Sequence, residues 1–174
     1  NLGDEEALPV LQDYLREEEA DLRQAAIEAL SGWPDASPAG DLLQIIKTTE
    51  DRKTHALAVR GYVQLMENSD QHGEEEKVRL FREVFGLADN AAEKRMVLSG
   101  LGTTGHVDAL EFAIELMDNP ELEAEARAAV LNIASGAGDR DPGKTRQMLI
   151  RLLEESQDEN FREGIREKLE WIDE

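Results

Sequence analysis

Arg-Gln-Ala-Ala-Ile-Glu-Ala-Leu, from Arg23 to Leu30, is the stretch on which the reading of this sequence turns. Its apolar side chains fall at three- and four-residue steps, the spacing of one face of an α-helix. His-Ala-Leu-Ala-Val-Arg-Gly-Tyr, from His55 to Tyr62, repeats the pattern, and three further copies end at Leu101, Ile133 and Leu169. The last residues of the five copies stand 32, 39, 32 and 36 residues apart. A period of that size marks an array of helical repeats, in which each unit buries its apolar face against the next. Small residues recur four positions before the large one at Ala26, Ala58 and Ala129, and one before it at Ala29, Gly61 and Gly100. Those are positions where neighbouring helices are expected to approach closely.

Outward from these copies the chain reads as helix throughout, cut by short clusters of Gly, Pro, Asn and Asp. The periodicity predicts helices over 4–16, 20–32, 39–49, 53–67, 74–88, 91–102, 107–117, 121–135, 142–156 and 159–172. The partner helices carry their own apolar sets, such as Leu8, Leu11 and Leu15, or Leu80, Phe81, Val84 and Phe85. The expected architecture is all-α: a right-handed α-solenoid of about five antiparallel helix pairs in one domain spanning 1–174. The approximate repeats are 4–33, 39–67, 74–102, 107–136 and 142–172.

The residues that carry a family resemblance are Leu-Pro-Val-Leu (Leu8 to Leu11) and the opening Leu22, Arg23 and Ala26 of a second helix, echoed by Phe161 and Arg162. On these the chain resembles the HEAT-repeat family, including its bilin-lyase-type variants, over nearly its whole length. The resemblance implies scaffolds and peptide-binding surfaces, with a few enzymes among the members. Repeats two to four depart from it at the Leu-Arg pair, where Thr54 and His55, Glu93 and Lys94, and Glu125 and Ala126 stand. Trp33-Pro34 and Arg60-Gly61-Tyr62 also look like HEAT tails appended to secreted bacterial multidomain proteins, which would make the location extracytoplasmic.

Composition narrows the function classes. With 39 acidic and 19 basic residues the formal charge is −20, so a nucleic-acid polyanion would be repelled and no nucleic acid is expected as partner. Cysteine is absent, which removes disulfides and thiolate chemistry. No apolar run approaches the roughly 20 residues that cross a bilayer, so no membrane insertion is expected.

Two glycine motifs imitate phosphate sites. Gly100, Gly102 and Gly105 spell Gly-x-Gly-x-x-Gly, and Gly138, Gly143, Lys144 and Thr145 spell Gly-x-x-x-x-Gly-Lys-Thr. Both chemistries need a strand to deliver the glycines to a helix N-terminus, and here helices precede the loops. Both are read as turns between repeats, with Gly136 and Gly138 ending one helix, Asp141 capping the next and Pro142 in its first turn. His55, His72 and His106 have no partner one helical turn away and are read as caps or surface residues; Trp33 and Trp171 are read as packing beneath turns. No catalytic residue, cofactor or metal ion is expected.

The most informative pattern is a row of arginines. In the first copy Gln24, Glu28 and Ser31 lie off the apolar stripe. The same positions in repeats two to four hold Arg60, then Arg95 and Ser99, then Arg127 and Leu131. In HEAT-like arrays this strip faces the concave side, so the five residues are expected to hold an acidic or carboxylate-bearing protein or peptide partner through guanidinium contacts. In repeat five the strip turns acidic, with Glu163, Glu167 and Glu170. Because the chain begins at Asn1 without Met, and Ala7, Leu8, Val10, Leu11, Tyr14 and Leu15 make a broad apolar set, the segment reads as excised from a longer protein, its first repeat docked on an upstream domain. The expected role is a noncatalytic protein-interaction or scaffold module. The alternatives are a repeat-type enzyme, bilin-lyase-like or glycosylase-like, and a purely structural spacer.

Overall fold

The structure is a computed structural model that describes residues 7–17 and 19–173. Among them are ten helices and no strand: α1 (Ala7–Tyr14), α2 (Ala20–Ser31), α3 (Ala39–Thr48), α4 (Arg52–Glu67), α5 (Glu74–Leu87), α6 (Ala91–Leu101), α7 (Val107–Leu116), α8 (Glu123–Arg140), α9 (Pro142–Glu155) and α10 (Glu159–Asp173). The chain is all-α, as the periodicity requires. Each predicted helix is present within a few residues, except that the expected stretch 4–6 lies outside the described residues. The largest difference is at α8, which runs through Gly136 and Gly138 to Arg140 instead of ending at 135. Gly136 is retained inside the helix because its bare Cα lies against Gly105; a Cβ there would come within 2.7 Å of the Gly105 Cα. Gly138 faces Ile172, whose Cγ1 would meet an added Cβ at 2.6 Å.

The residues group into two compact units, Asn1–Gly73 with Leu80–Gly100, and Glu74–Arg79 with Leu101–Glu174. In the first, α2 packs on α1 and α4, and α4 on α3. Its core is built from Ile27 and Leu30 of α2, Leu42 of α3, Tyr62 and Met66 of α4, Phe81 of α5 and Leu98 of α6, all 2% exposed or less. Two contacts recur at one register. Ser31 sits against Gly61 where any side chain would collide, and Val63 sits against Gly100, where an added Cβ would lie 2.7 Å from its Cγ1. Gly61 and Gly100 are two of the three small residues that precede the large one in the sequence pattern. Ser31, expected to face away from the core, is instead at the α2–α4 contact, its hydroxyl donating to the Ile27 carbonyl at 2.6 Å.

In the second unit α8 is the centre, touching α7, α9 and α10, while α9 also meets α7 and α10. Leu110, Ile133, Leu149 and Ile165 are fully buried. Gly164 lets α10 approach α8 at Leu131, whose Cδ1 would stand 2.8 Å from an added Cβ. Two turns are buttressed by the arginines of the Leu-Arg pairs: Arg23 donates to the Glu17 carbonyl at 2.8 Å, and Arg162 donates to the carbonyls of Leu153 and, at 3.0 Å, Ser156. These carbonyls follow or end a helix, where intrahelical partners run out. Trp33 is buried as expected; Trp171 is 55% exposed, because Ile172, one residue on, takes the place against Gly138.

Candidate functional site

The five arginine-row residues divide between the units. Arg60, exposed on α4, and Arg95 and Ser99 on α6 belong to the first; Arg127 and Leu131 on α8 belong to the second. Arg127 is half-buried and already engaged: its guanidinium lies 2.6 Å from Glu123 and 2.7 Å from Asp158, and it stacks over the Phe161 ring at 5.4 Å. Asp158 in turn accepts from the backbone amides of Asn160 and Phe161, so the pair fastens α8 to the start of α10. Leu131 is packed on Gly164. In the second unit these two residues therefore hold helices together.

Beside Arg127 the second unit opens a groove of about 640 Å³. Its apolar lining comes from Ile114, Met117, Met148 and Leu152, at the end of α7 and in α9. Glu111, Glu115, Asp118, Glu123 and Glu155 surround that lining, against two cations, Arg127 and Arg151. Both cations have carboxylate partners within the protein, Arg151 pairing with Glu155 at 2.8 Å. The groove thus mixes apolar side chains with an excess of acidic ones, a combination invisible in the linear sequence because its walls lie on three helices.

Both glycine motifs begin inside helices, Gly100 in α6 and Gly138 in α8, where a phosphate-binding loop would follow a strand. Gly105 is occupied by structure: its amide donates to a Glu74 carboxylate oxygen at 2.7 Å and its carbonyl accepts from Arg140 at 2.8 Å. Lys144 reaches Glu111 at 2.8 Å, and that hydrogen bond holds its ammonium above the ordinary lysine range. Asp141 caps α9, accepting from the Lys144 amide at 3.0 Å, with Pro142 behind it, as the sequence indicates.

Of the histidines, His106 caps α7 by accepting from the Asp108 amide at 3.2 Å, and His72 bonds the Ser69 hydroxyl at 2.9 Å. His55 is different. It is 3% exposed on the first turn of α4, and its Nδ1 lies 3.1 Å from a Glu93 oxygen and 3.8 Å from an Asp89 oxygen. The nearer approach is misaligned: Nδ1 is buried with no hydrogen-bond partner. Glu93 is itself 3% exposed and doubly held, accepting from the Asp89 amide at 2.8 Å and the Asn90 side chain at 2.9 Å. The Glu93 amide donates to the Asn90 side-chain oxygen at 3.1 Å, an N-cap at the start of α6.

Sequence reasoning missed this cluster because the search ran one helical turn either side of each histidine. The partners stand 34 and 38 residues along the chain. The signal was present at the departures from the Leu-Arg pair, where His55 replaces the arginine of one repeat and Glu93 the leucine of the next. Comparison with protein-family models, curated proteins and solved structures gives no match to this chain. Among the described residues no helix is long and apolar enough to cross a membrane.

Proposed function

We propose that the chain is a noncatalytic protein-interaction module of HEAT-like helical repeats, binding a cationic amphipathic segment of a partner in the groove between α7 and α9. The observation that carries the reading is the groove's composition: four apolar side chains with five carboxylates, of which Glu123 and Glu155 pair with the two arginines and Glu111 with Lys144, so that acidic groups outnumber basic ones along the lining. A helix with leucines along one face and Lys or Arg along the other matches such a surface. The net charge of −20 attracts basic segments over the whole molecule and raises their encounter rate. An acidic partner held by the arginine row is less well supported, since Arg127 already carries two carboxylates. The repeat part of the proposal, a right-handed solenoid of antiparallel pairs, is supported by the contact that recurs at one register, Ser31 on Gly61 and Val63 on Gly100.

The test is fluorescence anisotropy with two labelled amphipathic peptides of equal length and apolar pattern, one basic and one acidic. The basic peptide is expected to bind, and the double variant Glu115→Lys, Asp118→Lys to weaken it by about tenfold or more. Equal binding of both peptides, or binding indifferent to the two reversals, sinks the proposal.

A further inference from the structure

We propose that His55, Asp89 and Glu93 form a binding site for one divalent transition-metal ion of zinc's class, with Nδ1 of His55 and one oxygen from each carboxylate as ligands. The three ligand atoms lie within 4.8 Å of one another. Around a tetrahedral zinc ion, with bonds of about 2.0 to 2.2 Å, neighbouring ligand atoms are about 3.3 Å apart. The 3.1 and 3.8 Å from Nδ1 to the two carboxylates bracket that spacing.

The orphaned nitrogen is the second, independent observation. A buried Nδ1 that carries a proton has no acceptor in line with it, and one that carries none points a lone pair at a carboxylate lone pair. Either state leaves a buried polar atom unsatisfied, which is costly. A cation between the three groups resolves both at once, since nitrogen and oxygen lone pairs would then converge on positive charge. With a neutral imidazole the nearly fully buried Glu93 carboxylate keeps its charge among hydrogen bonds alone, and a divalent ion supplies the countercharge.

The surroundings fit a ligand set. The Asp89 amide and the Asn90 side chain already orient the Glu93 carboxylate, the service that outer groups give metal-binding carboxylates. The Asp89 side chain is 61% exposed, so an ion reaches the cluster from solvent and keeps positions for water. One nitrogen and two oxygens suit zinc, manganese or iron; calcium and magnesium prefer oxygen alone, and no soft sulfur ligand is in the set. Bound there, the ion fastens the first turn of α4 to the turn that precedes α6.

The experiment takes the full chain stripped of metal with a chelator and titrates zinc alone, with heat release and melting temperature as readouts. One ion per chain is expected to bind and to raise the melting temperature, while magnesium and calcium do neither. His55→Gln and Asp89→Ala each weaken zinc by at least about tenfold, and a His72→Gln, His106→Gln double variant binds as the wild type does. Asp89 is exposed, so its variant decides the matter even where His55→Gln fails to fold. Absence of saturable zinc binding, undiminished binding in Asp89→Ala, or loss confined to the His72, His106 variant overturns the assignment. None of these readouts involves the peptide groove, so the two proposals fail separately.

Discussion

At the scale of single residues, glycines with the same helical environment on paper differ in what surrounds them. Gly100 lies under Val63 and Phe81, so the Cβ of Gly100→Ala meets carbons at 2.7 and 2.9 Å. Gly86 is equally helical, in α5, with nothing within 4 Å. Overpacking at the first is expected to destabilise by roughly 1–3 kcal/mol. The same substitution at the second stabilises by roughly 0.5–1 kcal/mol, because alanine loses less backbone entropy. Urea denaturation of the two variants checks the sign of each; a stabilised Gly100→Ala contradicts the close approach of α4 and α6. Both glycines were plain in the sequence, and the small-residue register singled out Gly100 as a contact. His55 carried no such mark, since its two partners lie far along the chain and one of them looks like an ordinary first-turn glutamate.

At the scale of elements, α4 shows how caps and ends divide the labour. Its N-terminus is set by Asp51, which accepts from the Thr54 amide at 2.8 Å; bonding to the Thr54 side chain and backbone holds the carboxyl below the usual aspartate range. Its last residue, Glu67, is placed against expectation, a carboxylate at the negative end of the helix dipole. Partial desolvation of this exposed side chain pushes the Glu67 carboxyl up from its ordinary 4.5. A raised carboxyl means that the fold prefers the protonated side chain. The stability it favours is present below 4.5 and is lost as the pH rises through the raised value. Glu67→Gln therefore melts with the wild type at pH about 3.5 and above it at pH about 7. Coincident melting curves at neutral pH count against the partial desolvation of that largely exposed carboxylate. The ten helices themselves were readable from periodicity, and the start of α9 from Asp141 and Pro142; the Asp51 cap of α4 emerged with the structure. The exception, α8, ran past two glycines because close helix contact, invisible to a local rule, gave them a reason to be helical.

For the whole molecule, the excess of 20 negative charges is the dominant electrostatic fact. Exposed pairs such as Arg166 with Glu159 and Glu163, at 2.8 Å, contribute little each, whereas self-repulsion acts on every carboxylate. Raising sodium chloride from about 10 mM to about 0.5 M is accordingly expected to raise the melting temperature, since screening removes more repulsion than attraction. A falling melting temperature assigns the pairs the larger part. The sequence by itself determined the helical class, most of the places where the chain turns and the charge, because periodicity, caps and composition are properties of neighbours along the chain. Tertiary structure alone decided that Arg127 is spent on Glu123 and Asp158, that a negative groove opens between α7 and α9, and that His55 faces Glu93 and Asp89. Those outcomes depend on which side chains meet across helices distant in sequence, and no spacing rule within one helix carries that information.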